Sequence, residues 1–425
     1  MRLIRLGVVL AAVVWVGVAL SARFADGLMA QVSDRARQAS GGALMYVGTY
    51  TGKNSQGIYL FRVETTRAGG KDEITLTPAG LAAESQNPSY LDVDPTRRLL
   101  FAVNETSDFG GKPTGGVSAF SIDPASGRLT LINQQPSMGT SPCYVRLDGS
   151  RRNLLVANYG SGTVAVLPVA ADGRLGEATS VVQHTGKSVN PKRQQGPHAH
   201  CITLDPSNRF AFACDLGIDK ILAYRFDAVK GTLSPNEPPS VSVAPGSGPR
   251  SMAFRPDGRF AYVGNEMTST VTAFRYDAGG GTLHEVQTLS TLPAGPVEGN
   301  SIAEVAMHPS GRYVYVSNRG HNSVVLFAID QNKGTLTLVA DQSSGGKTPR
   351  HFGIDPSGAF LVMANQHSDT LLPARIDPAS GRLTPSGAPV AAPTPVFVKL
   401  LPPLDSTKLV TLRAPLLPKR MRSTG

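Results

Sequence analysis

A strand–turn–strand block recurs six times along the 425-residue chain. Each copy has an apolar strand, a turn of the Asp-Pro-Ser-Gly-Arg kind, a second apolar strand and a closing Asn or Asp. The turn column falls at Pro95, Gly149, Pro206, Pro256, Pro309 and Pro356. Successive copies are 54, 57, 50, 53 and 47 residues apart. A strand-rich period of about 50 residues is typical of a β-propeller or a β-solenoid.

A second signature follows each block, with a β-branched and aromatic strand, an Asp/Gly turn and the start of a further strand. Its copies occupy 117–129, 164–175, 221–233, 271–283, 324–336 and 371–383, with a looser copy at 58–70. Two signatures per period supply four antiparallel strands, A to D, which is the content of one propeller blade. The sequence therefore predicts an all-β fold, a seven-bladed β-propeller.

The seventh blade is predicted to be shared between the two ends of the repeat region. MYVGTYT (45–51) resembles the B strands, and TPVFVKLL (394–401) resembles the A strands. Pairing the two closes the ring and removes sheet edges that would otherwise be exposed. TKLVTLR (407–413) competes for the same B position, and the sequence does not decide between them.

The two ends of the chain differ from the repeats. Residues 1–30 join a basic start, MRLIR, to an apolar run, which predicts a signal peptide or an uncleaved N-terminal anchor. Residues 31–43 are predicted to be a linker, 44–401 the propeller and 402–425 a basic tail. We expect a periplasmic or secreted protein that contacts a membrane only through an uncleaved N-terminal segment.

The formal charge of +10 is compatible with an anionic small molecule, a membrane surface or nucleic acid. No basic–aromatic stripe of the kind that binds single strands is found in the sequence, so solvated surface charge is favoured over a nucleic-acid role. The three cysteines are Cys143, Cys201 and Cys214. They form no CxxC or other zinc-type spacing, and we expect no metal and no cofactor. Cys201 and Cys214 face each other in one predicted hairpin; a disulfide is open, and buried free thiols are favoured.

Polar residues occupy repeat columns where a structural core would have Val, Ile or Ala. Six residues before the turn column, the A strands begin with Ser89, Cys143, His200, Arg250, Ala303 and Arg350. Ten residues after it stand Glu105, Tyr159, Leu216, Glu266, Arg319 and Gln366. Both columns lie at the same end of the A–B hairpins, so they converge on one mouth of the ring. Varied polar residues on a regular scaffold are typical of a functional site.

The column between these two, nine residues after the turn, is almost constant. It holds Asn104, Asn158, Asp215, Asn265, Asn318 and Asn365. A short polar side chain at a strand end usually bonds the backbone of the turn, so we expect a structural role for it.

The segment NPKRQQGPHAHCITL (190–204) is the densest in polar residues. His198 and His200 are two residues apart, so on a strand they share a face. With Lys192 and Arg193 nearby, a functional role is favoured over a structural one. A zinc site is not favoured, because a third ligand is not evident.

These motifs resemble the lactonase family of seven-bladed propellers, which includes bacterial 6-phosphogluconolactonases, and are similar to the carboxy-muconate cyclases built on the same ring. The matching segments include MYVGTYT, NPSYLDVDP, GPHAHCITLDP, GPRSMAFRPDGRFAYVGNE, AEVAMHPSGRYVYVSNRGHNSV and TPRHFGIDPSGAFLVMANQ, within about 44–401. The cyclase branch implies a site of one His, one Glu and two Arg. The matching positions are His200, Arg250, Glu266 and Arg319. Substrate-binding residues are expected at His198, Glu304, Arg350, Tyr159 and Glu105.

The resemblance implies a lactonase-like hydrolase that opens a sugar-derived or other small anionic lactone. The leader adds the expectation of export, and we expect a monomer. Glu266 or His200 is expected to take the proton of the attacking water. Arg250 and Arg319 are expected to hold the oxyanion and a substrate carboxylate or phosphate. Two alternatives stay open: a muconate-cyclase-like enzyme that forms a lactone with the same residues, and a non-enzymatic exported binding module.

Overall fold

The computed structural model describes residues 43–68 and 71–401. The predicted leader 1–30, most of the linker, the tail 402–425 and the competing strand 407–413 lie outside the described residues. Across the described ranges, no helix is long and apolar enough to cross a membrane.

Seven antiparallel sheets follow one another along the chain. The first strands are β1 (Ala43–Thr49), β2 (Gly57–Ala68) and β3 (Lys71–Glu84). Blade 1 contains β4 (Leu91–Asp94), β5 (Leu99–Asn104), β6 (Gly116–Ile122) and β7 (Leu129–Pro136). Blade 2 contains β8 (Pro142–Leu147), β9 (Asn153–Asn158), β10 (Thr163–Pro168) and β11 (Ser180–Gln183). Blade 3 contains β12 (Ala199–Leu204), β13 (Phe210–Asp215), β14 (Lys220–Asp227) and β15 (Thr232–Ser242).

The remaining blades repeat this order. Blade 4 contains β16 (Pro249–Phe254), β17 (Phe260–Asn265), β18 (Thr270–Asp277) and β19 (Thr282–Ser290). Blade 5 contains β20 (Ser301–Met307), β21 (Tyr313–Arg319), β22 (Ser323–Ile329) and β23 (Leu336–Ser343). Blade 6 contains β24 (Pro349–Ile354), β25 (Phe360–Asn365), the 3-10 turn Gln366–Ser368, β26 (Thr370–Ile376), β27 (Leu383–Pro385) and β28 (Val390–Ala391). The last strand is β29 (Pro395–Leu401).

The second strand of each blade is buried on both faces and the fourth is only half buried. In β13, Phe210–Asp215, every residue is buried, whereas in β7, Leu129–Pro136, most residues are exposed or half-buried. β-Branched and aromatic residues suit the buried positions because they pack well on a pleated surface. The hydrophobic core is therefore the stack of blade-to-blade interfaces.

Blade 7 closes the ring as the sequence predicts. Its strands run in the order β29, β1, β2 and β3. β29 pairs antiparallel with β1, with Leu44 opposite Leu401 and Val47 opposite Val398. The prediction that 394–401 and 45–51 form the closing A and B strands is confirmed. The seven-bladed fold class is confirmed with it.

In blades 1 to 6, the glycine of the C–D turn packs against the B strand of the preceding blade. In blade 5, Gly334 adopts a φ of 71°, and a Cβ built there would lie 2.1 Å from Cδ1 of Phe260 in blade 4. The carbonyl of Gly334 accepts a hydrogen bond of 3.0 Å from the hydroxyl of Tyr262. Tyr46 and Tyr315 make the same kind of bond to the turns of the blades that follow them. The recurring turn glycine is thus required by both its backbone conformation and its close packing.

Surface arginines reinforce the same contacts. Arg209 in the A–B turn of blade 3 donates to the carbonyl of Ala278 in blade 4 at 2.6 Å. Arg259 reaches the carbonyl of Asn332 in blade 5 at 3.2 Å. A share of the positive charge of the chain therefore joins one blade to the next.

The near-constant Asn column also joins blades. Asn158 donates to the carbonyl of Ser137 at 2.9 Å, and Asn318 to that of Thr291 at 3.0 Å. These bonds support the structural role predicted for the column. For Asn158 and Asn318 the partner is the connection from the preceding blade. Asn265 instead donates to Thr270 and Thr272 of its own blade, and Asp215 accepts from the backbone N–H of Gly217 in its own turn.

The cysteines are buried free thiols, as the sequence favours. Cys201 on β12 and Cys214 on β13 are register partners in the hairpin. Cys143 lies in blade 2 and contacts His200 of blade 3, with 3.7 Å between Sγ and Nδ1.

We predict that Gly334→Ala destabilises the propeller more than Gly299→Ala does. Gly299 has the same φ of 71°, but nothing lies within 4 Å of a Cβ built there. The Gly299→Ala control therefore measures only the cost of placing Ala in the left-handed conformation, about 1–2 kcal/mol. Overpacking against Phe260 adds about 1–3 kcal/mol to the loss in Gly334→Ala. Urea unfolding followed by tyrosine fluorescence measures both; equal losses would contradict the packing account.

Candidate active site

The mouth at which the A strands begin contains a narrow cavity on the ring axis. Its volume is about 20 Å³, which is room for about one water. All six residues of the predicted inner column line it: Ser89, Cys143, His200, Arg250, Ala303 and Arg350. The two polar columns therefore meet at one mouth, as the repeat alignment indicates.

A β-bulge at the start of the A strands aims these side chains at the axis. The pairing of β12 with β13 skips His200, and the pairing of β16 with β17 skips Arg250. The same extra residue is Arg350 in blade 6, and in blade 5 the bulge contains Ala303 and Glu304. A bulge inserts one unpaired residue and redirects its side chain, and bulges often lie beside functional sites.

Glu266 is the anionic centre of the site. It is buried, and its Oε1 accepts a hydrogen bond of 2.8 Å from Arg193. Its Oε2 accepts from Arg250 and lies 3.1 Å from Nη2 of Arg319. Burial raises the pKa of this carboxyl, but Arg250, Arg319 and the other positive groups outweigh burial and hold the pKa well below its usual value. One carboxylate thus holds three guanidinium groups.

Arg250 is fixed by three acceptors. Its Nε donates to the carbonyl of Ala303 at 2.9 Å, and its Nη1 donates to Glu266 and to Nε2 of His200. Because Arg has no acceptor atom, Nε2 of His200 must carry the lone pair and Nδ1 the proton. Burial, and then Arg250, lower the pKa of His200 well below its usual value. His200 is therefore neutral.

Arg319 has unused hydrogen-bonding capacity. Its Nη2 also donates to the carbonyl of Ile302 at 2.9 Å, but its buried Nε has no partner among the described residues. Burial and the neighbouring Arg250 lower the pKa of Arg319 to about 9. The guanidinium is still charged at neutral pH, at an electrostatic cost that a bound anion would relieve.

A second arginine cluster lies across the same mouth. Arg350 donates to the hydroxyl of Tyr50 at 2.6 Å, and its guanidinium lies 5.0 Å from the centre of that ring. The Tyr50 hydroxyl donates to Glu105 at 3.0 Å, and Ser89 also bonds Glu105. The contact of a cation with an aromatic face adds to the hydrogen bond and keeps Arg350 in place.

His198 and Tyr159 form the rim beside blade 3. Their rings stack with centroids 4.5 Å apart, and Nδ1 of His198 donates to the carbonyl of Tyr159 at 2.8 Å. The Tyr159 hydroxyl accepts from Arg193 at 3.0 Å, and its ring meets the edge of His200. The two histidines therefore contact one aromatic ring, although the bulge at His200 breaks the simple strand alternation between them.

Asp215 anchors the segment that carries these histidines. Its Oδ1 accepts from the backbone N–H of His198 at 2.7 Å, and its Oδ2 lies 2.6 Å from Nδ1 of His184. The other ring nitrogen of His184 is 2.8 Å from the hydroxyl of Tyr224. This network is fully internal. Asp215 is the one aspartate of an asparagine column, and that departure in the sequence marks the blade with the densest site residues.

Glu304 lies apart from the Glu266 network. It lines the axial cavity and also a recess at the opposite mouth. Its Oε1 accepts from Ser251 at 3.1 Å, and burial raises its pKa to about 7.

The structure thus brings the predicted residues together in three groups. His200, Arg250, Glu266 and Arg319 contact one another directly, His198 and Tyr159 join them through Arg193, and Arg350 forms a neighbouring cluster with Glu105. Sequence reasoning missed Arg193 and Tyr50 as members of the site. Arg193 stands in the polar segment before blade 3, and Tyr50 occupies the varied column of blade 7, so both had a signal.

Residues 43–68 and 71–401 contain no group of three His, Cys, Asp or Glu side chains placed to hold a metal ion.

Comparisons with known proteins agree with this fold. The family model described as lactonase, 7-bladed beta-propeller, matches residues 44–400. A 6-phosphogluconolactonase of Bacillus subtilis is 38% identical over 356 residues, covering 84% of this chain and 97% of that protein. A 6-phosphogluconolactonase of Formosa agariphila is 30% identical over 345 residues, covering 80% and 94%. The solved structure of a periplasmic gluconolactonase of Pseudomonas aeruginosa superposes with a TM-score of 0.77 at 35% identity, covering 85% and 99%.

The fold and the site together define a seven-bladed propeller with an arginine-rich cavity at one mouth of its axis. The chain belongs to the lactonase family of seven-bladed β-propellers.

We predict that Glu266→Ala lowers the free energy of unfolding by about 3–5 kcal/mol, because it leaves buried guanidinium groups without their counter-charge. Added sulfate should recover part of the loss by binding the exposed arginines. Glu105→Ala is the matched control: its side chain bonds only the hydroxyls of Tyr50 and Ser89, so its loss should be about 1–3 kcal/mol. Equal losses, or no effect of sulfate, would show that the arginines do not depend on Glu266.

Proposed function

We propose that this protein is an exported lactonase that hydrolyses the ring ester of a small anionic lactone, of the 6-phosphogluconolactone type. The observation that carries the proposal is the charge at the cavity. Four guanidinium groups, those of Arg193, Arg250, Arg319 and Arg350, surround two carboxylates, and His200 is neutral. A cavity with surplus positive charge favours a substrate that brings negative charge with it.

The substrate anion is assigned to Arg319 and Arg350. A guanidinium matches a carboxylate or a phosphate in bidentate geometry, so either group could be held. The Arg319 side chain is 15% exposed, so such an anion could approach its guanidinium and neutralise its charge. The names of the relatives, 6-phosphogluconolactonase and gluconolactonase, favour a sugar lactone with or without phosphate.

Arg250 is assigned to the oxyanion that forms when water attacks the lactone carbonyl. Arg250 lines the axial cavity, and three acceptors hold its guanidinium group. This group therefore requires little reorganisation during the reaction. A preorganised donor of this kind contributes about 3–4 kcal/mol to transition-state stabilisation.

The hydrogen bonds of Glu266 and His200 favour a positioning role over proton transfer. Glu266 has a pKa well below its usual value, so it is a weak base. His200 already accepts a hydrogen bond from Arg250 through its basic nitrogen. Both side chains are therefore assigned to orienting the arginines. His198 and Tyr159 are assigned to the rim that substrate passes.

The sequence supports the proposed cellular location and the proposed division of the chain into leader, propeller and tail. Residues 1–30 have the composition of a signal peptide or anchor, and one structural relative is named as periplasmic. The propeller, 44–401, is assigned the whole activity, and the leader and the basic tail, 402–425, are assigned none. Radial repetition of the blades leaves only short, protected sheet edges, so the protein is proposed to act as a monomer.

We predict that the purified protein without residues 1–30 opens aldonolactones faster than buffer near neutral pH, measured as acid release. Arg250→Ala should lower kcat/KM by about 100-fold or more, because the oxyanion loses a fixed donor. Arg128→Ala is the control: it removes an exposed arginine of a C–D turn and should leave kcat/KM unchanged. Absence of turnover on every lactone tested, with a folded protein, would refute the proposal.

Substrate charge gives a second prediction. At low ionic strength, 6-phosphogluconolactone should react with a kcat/KM about 10-fold or more above that of the unphosphorylated lactone. The difference should shrink as salt is added, because salt screens the attraction of the arginines. Arg319→Ala should remove much of the preference and leave the reaction of the neutral lactone less affected. A preference for the neutral lactone at low salt would contradict the anionic assignment.

A further inference from the structure

The axial cavity is also lined by Glu304, a carboxyl group that the arginine network does not use. Glu304 lies in β20 next to Ala303, whose carbonyl accepts the Nε–H of Arg250. It lines the same cavity as His200 and Arg250. The cavity has room for about one water, so Glu304 and Arg250 both face the position that such a water would occupy.

The carboxyl of Glu304 has one oxygen bonded and one open. Oε1 accepts from Ser251 at 3.1 Å, and Oε2 lies 3.9 Å from Nε2 of His351. The backbone N–H of Val398 donates to Nδ1 of His351 at 3.2 Å, so the proton of this neutral ring is on Nε2, facing Glu304. The side chain keeps 13% of its surface exposed. Oε2 can therefore bond a water in the cavity.

Other groups that face Glu304 come from four neighbouring blades. They are Arg250 and Ser251 of β16, Tyr144 and Arg146 of β8, His351 of β24, and Tyr90 just before β4. Burial raises the pKa of Glu304 to about 7, and the hydrogen bond from Ser251 and the charges of Arg250 and Arg146 only partly oppose it. Burial, with Lys399 and Arg250, lowers the pKa of His351 to about 3, so this ring adds no charge.

Two carboxyl groups of the site, those of Glu266 and Glu304, are thus in opposite environments. Glu266 is bound by three arginines and stays ionised, whereas Glu304 exchanges its proton near neutrality. When the pKa values of two carboxyl groups diverge in this way, one group serves as a fixed charge and the other as an acid–base group. A pKa close to the working pH is the most effective for proton transfer.

We propose that Glu304 is the acid–base catalyst of lactone opening, taking a proton from the attacking water and returning it to the ring oxygen. This inference rests on the lactonase function proposed above. Glu304 was expected from the sequence only to bind substrate, and the new role changes the assignment of proton transfer from Glu266 and His200.

The steps balance as follows for ionised Glu304. Water forms a bond to the carbonyl carbon while one O–H bond breaks and its proton moves to Oε2, and Arg250 stabilises the carbonyl oxygen as an anion. The tetrahedral intermediate then re-forms its carbonyl, and the bond from that carbon to the ring oxygen breaks. Glu304 gives its proton to the departing ring oxygen, which becomes a hydroxyl. The new carboxylic acid loses its proton to solvent, and Glu304 is ionised again.

The test compares Glu304→Gln with the wild type in kcat, KM and pH dependence. The amide keeps the shape and can still accept from Ser251, but it cannot take a proton. We expect kcat to fall about 100-fold or more and KM to stay within about 3-fold. In the wild type, kcat/KM should fall as the pH drops through about 7, and this limb should be absent in the variant. Glu285→Gln, on the exposed face of β19, is the control and should match the wild type.

The Ser251→Ala variant tests the acid–base role through the pH dependence of activity, which a purely structural role of Glu304 would leave unchanged. It removes a hydrogen bond that lowers the pKa of Glu304, so the acidic limb should move to higher pH in an active enzyme. A Glu304→Gln variant with kcat within about 3-fold of wild type, or an unmoved limb in Ser251→Ala, would overturn the role of Glu304 and leave the lactonase function intact. A wild type without lactonase activity would overturn both.

Discussion

The pairing of β29 with β1 is the constraint on which the rest of the molecule depends. It joins residues at opposite ends of the repeat region, Leu44 and Leu401, and makes seven open sheets into one closed ring. Closure fixes the axis, and the axis brings the starts of the A strands together. Side chains from β12, β16, β20 and β24 then share one cavity although they lie about 50 residues apart in sequence.

Within that cavity, chemistry follows from how charge is distributed over the blades. The carboxylate of Glu266 gathers arginines from the segment before blade 3, from blade 4 and from blade 5. This arrangement keeps guanidinium groups desolvated and still leaves an unpartnered donor on Arg319. Glu304 lacks such partners, and burial raises its pKa to about 7. Substrate charge and proton transfer are thereby assigned to different parts of one cavity.

The sequence predicts the ring because every blade repeats the same turn and strand pattern. It also predicts the mouth, since His200, Arg250 and Glu266 interrupt columns that a core would fill with apolar residues. It does not predict the bulges, which depend on how each A strand meets its B strand. Arg193 was missed because it lies in a connection whose path only tertiary packing defines. The contrast between Glu266 and Glu304 also depends on burial and on neighbours from other blades, which no local pattern contains.

The most direct measurement is a crystal structure of the Glu304→Gln variant with a slowly hydrolysed anionic lactone. The account predicts the lactone at the mouth of the axial cavity, with its anionic group on Arg319 or Arg350 and its carbonyl oxygen within hydrogen-bond distance of Arg250. The lactone carbon should lie close to the side-chain amide at position 304, with a water between them. Binding in the recess at the opposite mouth, or with the anion remote from every arginine of the cavity, would contradict the account.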